Sequence, residues 1–433
     1  MEGGDFIFSC SVVVCTRDRP TQLDRCLEAV ARLDYPRFDV LVVDNAPQDG
    51  RTREVAARWG SRYIVEPVPG VNRARNRGAR TCDTDIVAYL DDDSICEPTW
   101  LSGLVPEFRD PQVMAITGRI LPLKVTTEAE RLFASRGGFD LGQEQRSVDR
   151  HTLHWFEMAN FGGLGSEANM AFRHSAFEVW PGFNDRIGYG TPLPGCSGPY
   201  AFFLLIERGY RVVYTPRAVV YHPYPQTLED LHARHLKSFA AIAGYMTLLF
   251  FEHPRYCGDL MKYLAGWFRG YPRSWRGQGV AFPPRIVPKW RELLACLPGP
   301  ITSITSITSS DGILKTLDIS QRKFQNETQQ FFWKMQLIDQ IDLAEFIDFP
   351  NMEQRNLMWD RIIQITQSRT LGAFRMLKSQ FDRYSVLLVL AFFAIVPECA
   401  AEGQHTPENP SMILFLAGSA AMGYQYLKAR LRR

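Results

Sequence analysis

Short apolar runs alternate with amphipathic stretches along the first third of the chain. The apolar runs are brief and rich in β-branched residues, which predicts buried strands at 11–15, 39–43, 63–65 and 85–90. The stretches between them carry apolar residues at helical spacing, which predicts helices at 20–33, 51–59 and 72–79. Apolar strands that alternate with helices are typical of a parallel sheet covered by helices on both faces. We therefore predict an α/β, Rossmann-like fold with a mostly parallel sheet.

The pattern changes towards the second half of the chain. Two more strand-like runs lie at 209–214 and 218–222, and a mostly apolar helix is predicted at 236–251. An Ile-Thr-Ser triplet then repeats three times from Ile301, which is typical of a low-complexity linker. The predicted parts of the chain are an α/β domain at 1–235, a C-terminal helical extension at 236–300 and a linker at 301–310. A helical spacer at 311–383 and a helical hairpin with a basic tail at 384–433 follow.

Two apolar runs near the C-terminus, 385–396 and 412–427, indicate a membrane hairpin. Each run is shorter than the ~20 residues that a transmembrane helix needs. Lys378 and Arg383 precede the first run and a basic tail follows the second, which places both ends on the cytoplasmic side. A buried helical pair in a soluble domain is the alternative. Two alternatives are also open for the Trp- and Arg-rich segment 256–276. It lies at a bilayer surface, or it forms a helical subdomain packed on the sheet.

Charge and cysteine content limit the function and the compartment. The 49 basic and 47 acidic residues nearly cancel to a net charge of +2, which by itself argues neither for nor against nucleic acid binding; we expect no nucleic acid partner. Nine cysteines are scattered without any CxxC pair, which favours a reducing compartment over a disulfide framework or a zinc site. The start MEGGDFIFSCSVVV lacks the basic segment of a signal peptide. The expected location is the cytoplasmic face of the plasma (inner) membrane.

The fourth predicted strand ends in three consecutive aspartates, in the stretch AYLDDDS. In an extended chain Asp91 and Asp93 point to one face and Asp92 to the other. Two neighbouring carboxylates repel each other, and a divalent cation such as Mg²⁺ or Mn²⁺ removes that repulsion. Because ligands of such sheets bind beyond the carboxyl ends of the strands, this position predicts a metal site that receives a diphosphate. A solvated acidic turn is the alternative.

Six stretches between residues 8 and 225 occur in an order that is specific to one protein family. They read VVVCTRDRPTQLDRCLEAV, VLVVDNAPQDGRT, GVNRARNRGA, DIVAYLDDDSICEPTWL, GSEANMAFRHSAFEVWPGFNDRIG and ERGYRVVYTPRAVVYH. In these stretches the chain resembles the inverting nucleotide-sugar glycosyltransferases of family two, which have the GT-A fold. The resemblance implies a sugar nucleotide donor, above all a UDP-sugar, and a Mn²⁺ or Mg²⁺ ion. It also implies transfer with inversion to a glycan or lipid-linked acceptor in envelope or surface glycan synthesis.

The resemblance assigns nucleotide-binding residues by their position in these stretches. Thr16 and Arg17 end the first strand and Asp44 ends the second, where the family contacts the nucleoside. Arg73 and Asn76 lie where family members line the nucleotide pocket. Short polar groups at strand ends suit a uracil-like ring, and arginine suits phosphate.

The resemblance also assigns the metal site. Asp91 and Asp93 match the DxD element that binds the metal in the family, and Asp92 lies near the ribose or the metal. Asp91 and Asp92 are therefore also expected to be nucleotide-binding residues. His222 closes VVYH, where the family often supplies a ligand to the metal or the diphosphate.

One element departs from the family pattern, at the position of the catalytic base. The family carries two acidic residues at the start of the helix that precedes Gly-Tyr, and one of them deprotonates the acceptor hydroxyl. In this chain Ser197 and Gly198 stand there, and neither accepts a proton as a carboxylate does. Three explanations are open. The base comes from another segment, with Glu167 or Asp185 nearest, or the assigned register is shifted in this loop. Alternatively, the protein is a membrane-tethered nucleotide-sugar-binding or scaffold protein with impaired catalysis. The catalytic base stays unassigned.

Overall fold

The computed structural model describes residues 7–191 and 193–268. The predicted linker, helical spacer and membrane hairpin at 301–310, 311–383 and 384–433 lie outside the described residues, as does the end of the predicted helical segment beyond residue 268. The predicted boundaries between these parts stay predictions.

Within the described residues, nine strands form one sheet. The strands are β1 (Cys10–Thr16), β2 (Phe38–Asn45), β3 (Arg62–Glu66), β4 (Ile86–Asp91), β5 (Ile95–Cys96), β6 (Val113–Pro122), β7 (Arg146–Val148), β8 (Asn169–Arg173) and β9 (Arg211–His222). Their spatial order is β3-β2-β1-β4-β8-β6-β9-β5, and β7 pairs with β9.

The sheet is mixed but mostly parallel, which confirms the predicted fold class. Strand β1 pairs in parallel with β2 and β4, and β2 pairs in parallel with β3. Strand β8 is antiparallel to both β4 and β6, so β4 and β6 point the same way, and β9 is parallel to β6. The carboxyl ends of β1–β4, β6 and β9 therefore lie at the same edge, where the ligands of open α/β sheets bind.

Ten α-helices connect or flank these strands in the part of the chain that the structure describes. They are α1 (Pro20–Val30), α2 (Arg51–Arg58), α3 (Val71–Thr81), α4 (Trp100–Leu104), α5 (Glu128–Ser135), α6 (Trp155–Asn160), α7 (Ala176–Val179), α8 (Ser197–Glu207), α9 (Leu228–Glu252) and α10 (Cys257–Phe268). Short 3₁₀ helices lie at Val105–Arg109 and Pro254–Tyr256.

Local sequence explains where several helices begin. Pro20 stands in the first turn of α1, where its missing N–H is not needed. Thr127 and Glu130 form a reciprocal capping box at α5, because each side chain accepts the backbone N–H of the other. The Thr227 hydroxyl likewise accepts the Asp230 N–H at the start of α9.

Two predicted strands at 209–214 and 218–222 are in fact one strand, β9. Its pairing with β6 shifts register between Gly118 and Arg119, whose partners are Thr215 and Val219. The extra residues around Pro216 form a bulge, which lets a proline stay within a strand whose regular ladder it cannot join. The sequence predicts two strands here because Thr215, Pro216 and Arg217 interrupt the apolar pattern.

The helix α9 is the longest of the described helices, at 25 residues. None of the helices within residues 7–191 and 193–268 combines the length and the apolar character that crossing a bilayer requires.

Helix α3 packs directly against the sheet through Gly78. A Cβ atom at position 78 would lie 2.6 Å from Cγ1 of Val13 and 3.3 Å from Cγ2 of Val43. Both valines are fully buried in central strands, so they have little room to move. This close approach brings the polar face of α3 to the edge of β1 and β4.

We predict that Gly78→Ala lowers the stability of the protein by about 1–3 kcal/mol through overpacking, although alanine favours the helical conformation. Thermal unfolding of the full-length chain measures the effect. Gly258→Ala in α10 is the matched control, because a Cβ atom there meets nothing within 4 Å. An unchanged melting temperature for Gly78→Ala would contradict the described packing of α3.

Candidate functional site

Polar residues from separate segments converge at the carboxyl edge of the sheet. In the register of the strands, Thr16 lies opposite Asp44, and Cys15 lies opposite Asp91. Strand β8 runs the other way and therefore begins at this edge. As a result Glu167, which stands just before β8, comes to the same edge as the aspartates after β4.

This edge opens into a cavity of about 550 Å³. Six of the predicted site residues line it: Thr16, Arg17, Asp91, Asp92, Asp93 and His222. Further polar side chains from other segments also line it, among them Arg75, Glu167, Tyr189 and Arg234. The cavity therefore joins strand ends from both halves of the sheet with residues of α3 and α9.

Asp91, Asp93 and His222 form a cluster with the spacing of a metal site. One ligand atom from each residue lies within 4.8 Å of the others. The two carboxylates meet through a tight turn rather than through strand alternation, since β4 ends at Asp91 and the Ser94 N–H donates to the Asp91 carbonyl, with an N–O distance of 3.0 Å. His222 arrives from the end of β9.

The orientation of His222 favours metal binding. Its Nδ1 lies 2.8 Å from the Pro223 carbonyl oxygen, and because a carbonyl only accepts, Nδ1 must carry the proton. In the neutral ring Nε2 is then an acceptor, and it lies 3.4 Å from an Asp93 oxygen. Two acceptors at this distance need a proton or a cation between them. The donor set thus fits a divalent ion.

Asp92 points away from this cluster and is buried. Its carboxylate accepts hydrogen bonds from the Thr16 hydroxyl at 2.7 Å and from Arg19 at 3.2 Å. Burial raises the pKa of Asp92 to about 6, and the bonds from Thr16 and the charge of Arg19 partly oppose this rise. Arg19 also contacts Asp93 at 3.4 Å, so one guanidinium serves two adjacent carboxylates.

Asp44 lies behind the cavity wall, next to Asn45, which lines it. Its Oδ2 accepts the Tyr63 hydroxyl at 2.8 Å, while its Oδ1 is buried and has no hydrogen-bond partner. Burial raises the pKa of Asp44, and the hydrogen bond from Tyr63 opposes the rise. An unsatisfied buried acceptor is costly unless a ligand donor reaches it.

The structure does not bring Arg73 and Asn76 to the cavity lining. The Arg73 guanidinium pairs with Asp185 at 2.5 Å, and both side chains are about two-fifths exposed at 42% and 41%. The Asn76 amide donates to the Phe183 carbonyl at 2.7 Å and accepts the Phe183 N–H at 2.8 Å. Asn76 thereby anchors a loop.

Arg75, which is not among the predicted site residues, is the arginine of α3 that lines the cavity. Its side chain is only 3% exposed, and Nη1 donates to Glu167 Oε2 at 2.9 Å. Its Nη2 lies 3.7 Å from an Asp91 oxygen. A sequence signal for this position exists, because Arg75 stands three residues before Gly78 and thus shares the helix face that meets the sheet.

Glu167 sits between Arg75 and the start of α8. Its Oε1 accepts the Gly198 N–H at 2.8 Å, and its side chain is 15% exposed. Burial raises its pKa, but the charge of Arg75 and the hydrogen bonds from Gly198 and Ser197 outweigh burial, so that the pKa of Glu167 is lowered. The carboxylate is therefore ionised at neutral pH.

Helix α8 begins at Ser197, so Ser197 and Gly198 lie at the start of a helix. This is the position at which the resemblance implies two acidic residues. The Ser197 hydroxyl is buried and accepts from Arg75 at 3.3 Å. Among the described residues, the carboxylate that contacts this helix start is that of Glu167. Asp185, the other suggested source of a base, is instead paired with Arg73 and does not line the cavity.

The chain is similar to known glycosyltransferases. The family model "Glycosyl transferase family 2" matches residues 11–180. The pre-mycofactocin glycosyltransferase of Mycobacterium tuberculosis is 32% identical over 186 residues, which cover 43% of this chain and 36% of that protein. The glucosyl-dolichyl phosphate glucuronosyltransferase of Haloferax volcanii is 25% identical over 222 residues, which cover 49% of this chain and 68% of that protein. The match thus spans about a third of the mycobacterial relative's length.

A solved structure of the mannosyltransferase PcManGT from Pyrobaculum calidifontis, in complex with GDP-Man and Mn²⁺, is also similar to this chain. It has a TM-score of 0.42 and 18% identity, and the match covers 71% of this chain and 76% of that one. The family match and the mostly parallel sheet confirm the predicted resemblance and fold class. Residues 11–180 therefore form a glycosyl transferase family 2 domain within a mostly parallel α/β sheet.

Proposed function

We propose that this protein transfers a sugar from a nucleotide diphosphate donor to an acceptor hydroxyl, with inversion at the anomeric carbon. One observation carries the proposal: Asp91, Asp93 and His222 gather within 4.8 Å inside a cavity of a family-two domain. A cluster of this kind at the carboxyl edge of the sheet is where a diphosphate and its counter-ion would dock.

Asp91, Asp93 and His222 would hold a divalent ion, Mn²⁺ or Mg²⁺. When bound, such an ion neutralises the charge that develops on the departing diphosphate. The chain's own residues prepare the cluster for this role. The Pro223 carbonyl fixes the His222 ring, Phe139 packs edge-on against it with ring centroids 5.1 Å apart, and Arg19 restrains Asp93.

The nucleoside would lie over the ends of β1 and β2. The Arg17 side chain lines the cavity and is 46% exposed, so a phosphate oxygen can reach it. Thr16 and Asn45 bring short polar groups from the ends of β1 and β2 to the cavity lining, which suits a uracil-like ring and supports a UDP-sugar as the donor. Thr16 holds Asp92 in place beside the ribose position.

The acceptor is proposed to be a glycan or a lipid-linked sugar, used in envelope or surface glycan synthesis at the cytoplasmic face of the inner membrane. The basic residues that flank the two C-terminal apolar runs support this location. The relative from Haloferax volcanii is named for a dolichyl phosphate substrate, which supports a lipid-linked acceptor.

We predict that Asp93→Asn weakens Mn²⁺ binding at least ~10-fold, because it removes one of the charged ligands. Isothermal titration of the full-length chain with MnCl₂, alone and with UDP, measures this loss. The same titration series with MgCl₂ compares the two ions. Asp259→Asn is the matched control, since it removes an exposed carboxylate of α10 that pairs only weakly with Lys262.

Activity distinguishes an enzyme from a catalytically impaired scaffold, the second function that the Ser197–Gly198 departure favours. UDP-glucose, UDP-N-acetylglucosamine and GDP-mannose serve as probes, and release of the nucleoside diphosphate is followed with Mn²⁺. Turnover that Asp93→Asn abolishes supports the transferase. The scaffold would be favoured instead if the wild type bound nucleotide tightly with Mn²⁺ and neither the wild type nor the variant showed any turnover.

Membrane attachment through the C-terminal hairpin is tested separately. We expect the full-length protein to stay in carbonate-washed membranes. Leu388→Arg combined with Leu416→Arg should release it, because arginine at the centre of a membrane helix costs about 2.5–3.5 kcal/mol. Gln404→Arg, in the polar stretch between the runs, is the control and should have no effect. Wild-type protein in the soluble fraction would contradict the hairpin.

A further inference from the structure

Glu167 differs from the other acidic residues of the cavity. Among the described residues that line the cavity, it is the only carboxylate outside the run Asp91–Asp93. It reaches the start of α8, where its Oε1 accepts the Gly198 N–H at 2.8 Å. The positive end of the helix dipole favours a carboxylate at this place.

Glu167 and Gly198 are sterically matched to each other. A Cβ atom at position 198 would lie 2.7 Å from Cγ of Glu167, a distance that real contacts do not reach. A side chain at position 198 would therefore require the Glu167 side chain to shift. Any acidic side chain at 198 would have to displace Glu167.

Arg75 connects this carboxylate to the metal cluster. One guanidinium nitrogen lies 2.9 Å from Glu167 and the other lies 3.7 Å from Asp91. The Arg75 guanidinium therefore lies between the carboxylates of Glu167 and Asp91. Glu167 lines the same cavity as the metal cluster, so a sugar and its acceptor bound in that cavity would lie within its reach.

We propose that Glu167 is the general base of the transfer reaction, delivered from the segment before β8 to the helix start that lacks its own carboxylates. The proposal rests on the transferase function proposed above and names a residue for its unassigned step. Each carboxylate oxygen can accept more than one hydrogen bond, so Glu167 keeps capacity for the acceptor hydroxyl while it is held by Arg75 and Gly198.

The step conserves atoms and charge. Glu167 takes the proton of the acceptor hydroxyl as the hydroxyl oxygen forms a bond to the anomeric carbon. The bond from that carbon to the diphosphate oxygen breaks, and its electron pair leaves with the nucleoside diphosphate. The protonated Glu167 then returns its proton to water. A lowered pKa keeps Glu167 ionised and ready before the step.

Glu167→Gln tests the role with little change of shape, because glutamine can still accept the Gly198 N–H. The probe is Mn²⁺-dependent release of UDP from UDP-glucose with water as the acceptor, or the sugar nucleotide that gives the highest release. We expect the rate to fall ~10²–10⁴-fold, while Mn²⁺-dependent binding of UDP stays unchanged. Glu28→Gln, an exposed side chain paired with Arg32, is the matched control.

A relocation experiment covers the case in which Glu167→Gln destabilises the fold by leaving Arg75 underpaired. Gly198→Asp alone should impair the protein by collision with Glu167. Glu167→Ala with Gly198→Asp places a carboxylate back at the helix start and should release UDP at least ~10-fold faster than Glu167→Ala with Gly198→Ala. The second double variant has the same added Cβ atom without the charge.

The outcomes separate the two proposals. Wild-type UDP release by Glu167→Gln, or equal rates for the two double variants beside an active wild type, would overturn the role of Glu167 and leave the transferase intact. A wild-type protein that neither binds UDP with Mn²⁺ nor releases it would overturn the transferase itself. Loss in Glu167→Gln with unchanged UDP binding, and recovery in the relocated variant, are the results that we expect.

Discussion

Mutual repulsion among carboxylates at one edge of the sheet is the constraint on which the whole site depends. Four of them line a single cavity: Asp91, Asp92, Asp93 and Glu167. Close carboxylates can stay ionised together only if cations or hydrogen-bond donors are placed between them. Arg19, Arg75 and His222 take these places in the structure, each in contact with at least one of the four. The remaining gap, between Asp91, Asp93 and His222, suits a divalent ion.

Arg75 is the central element of this charge arrangement. It is buried, and a buried guanidinium is tolerated only with nearby negative charge, which Glu167 and Asp91 supply. Its position depends on α3, which approaches the sheet closely because Gly78 has no side chain. A packing feature of the core therefore fixes the spacing between the proposed metal site and the proposed base.

The sequence predicted the parts of the fold whose signal is local. The β-branched strands β1, β2 and β4 were recognisable because each is apolar along its length, and their polar ends identified Thr16, Asp91 and Asp93. Strands β6 and β8 were not predicted, because Thr117, Gly118 and Arg119 interrupt the apolar run of β6 and β8 has only five residues with a polar residue at each end. The sequence around Pro216 predicts a break between two strands, because only the pairing with β6 shows that β9 continues through the bulge.

The site was predictable only as far as single stretches of chain define it. Motif positions identified His222 and the aspartates at the end of β4. They did not show that Glu167 contacts Gly198, because these two residues are 31 positions apart. Nothing in either stretch alone indicates that a carboxylate before β8 reaches the start of α8. Arg73 and Asn76 share a motif with Arg75, and only the packing of α3 distinguishes the residue that enters the cavity from those that do not.

The most direct test of the central claim is pulsed electron paramagnetic resonance of Mn²⁺ bound to the full-length protein with UDP. The account predicts a ¹⁴N coupling from His222, which His222→Gln removes, together with a ³¹P coupling from the diphosphate. A spectrum that shows only water around the ion, with neither nitrogen nor phosphorus coupling, would contradict the claim that Asp91, Asp93 and His222 hold the metal beside a sugar nucleotide.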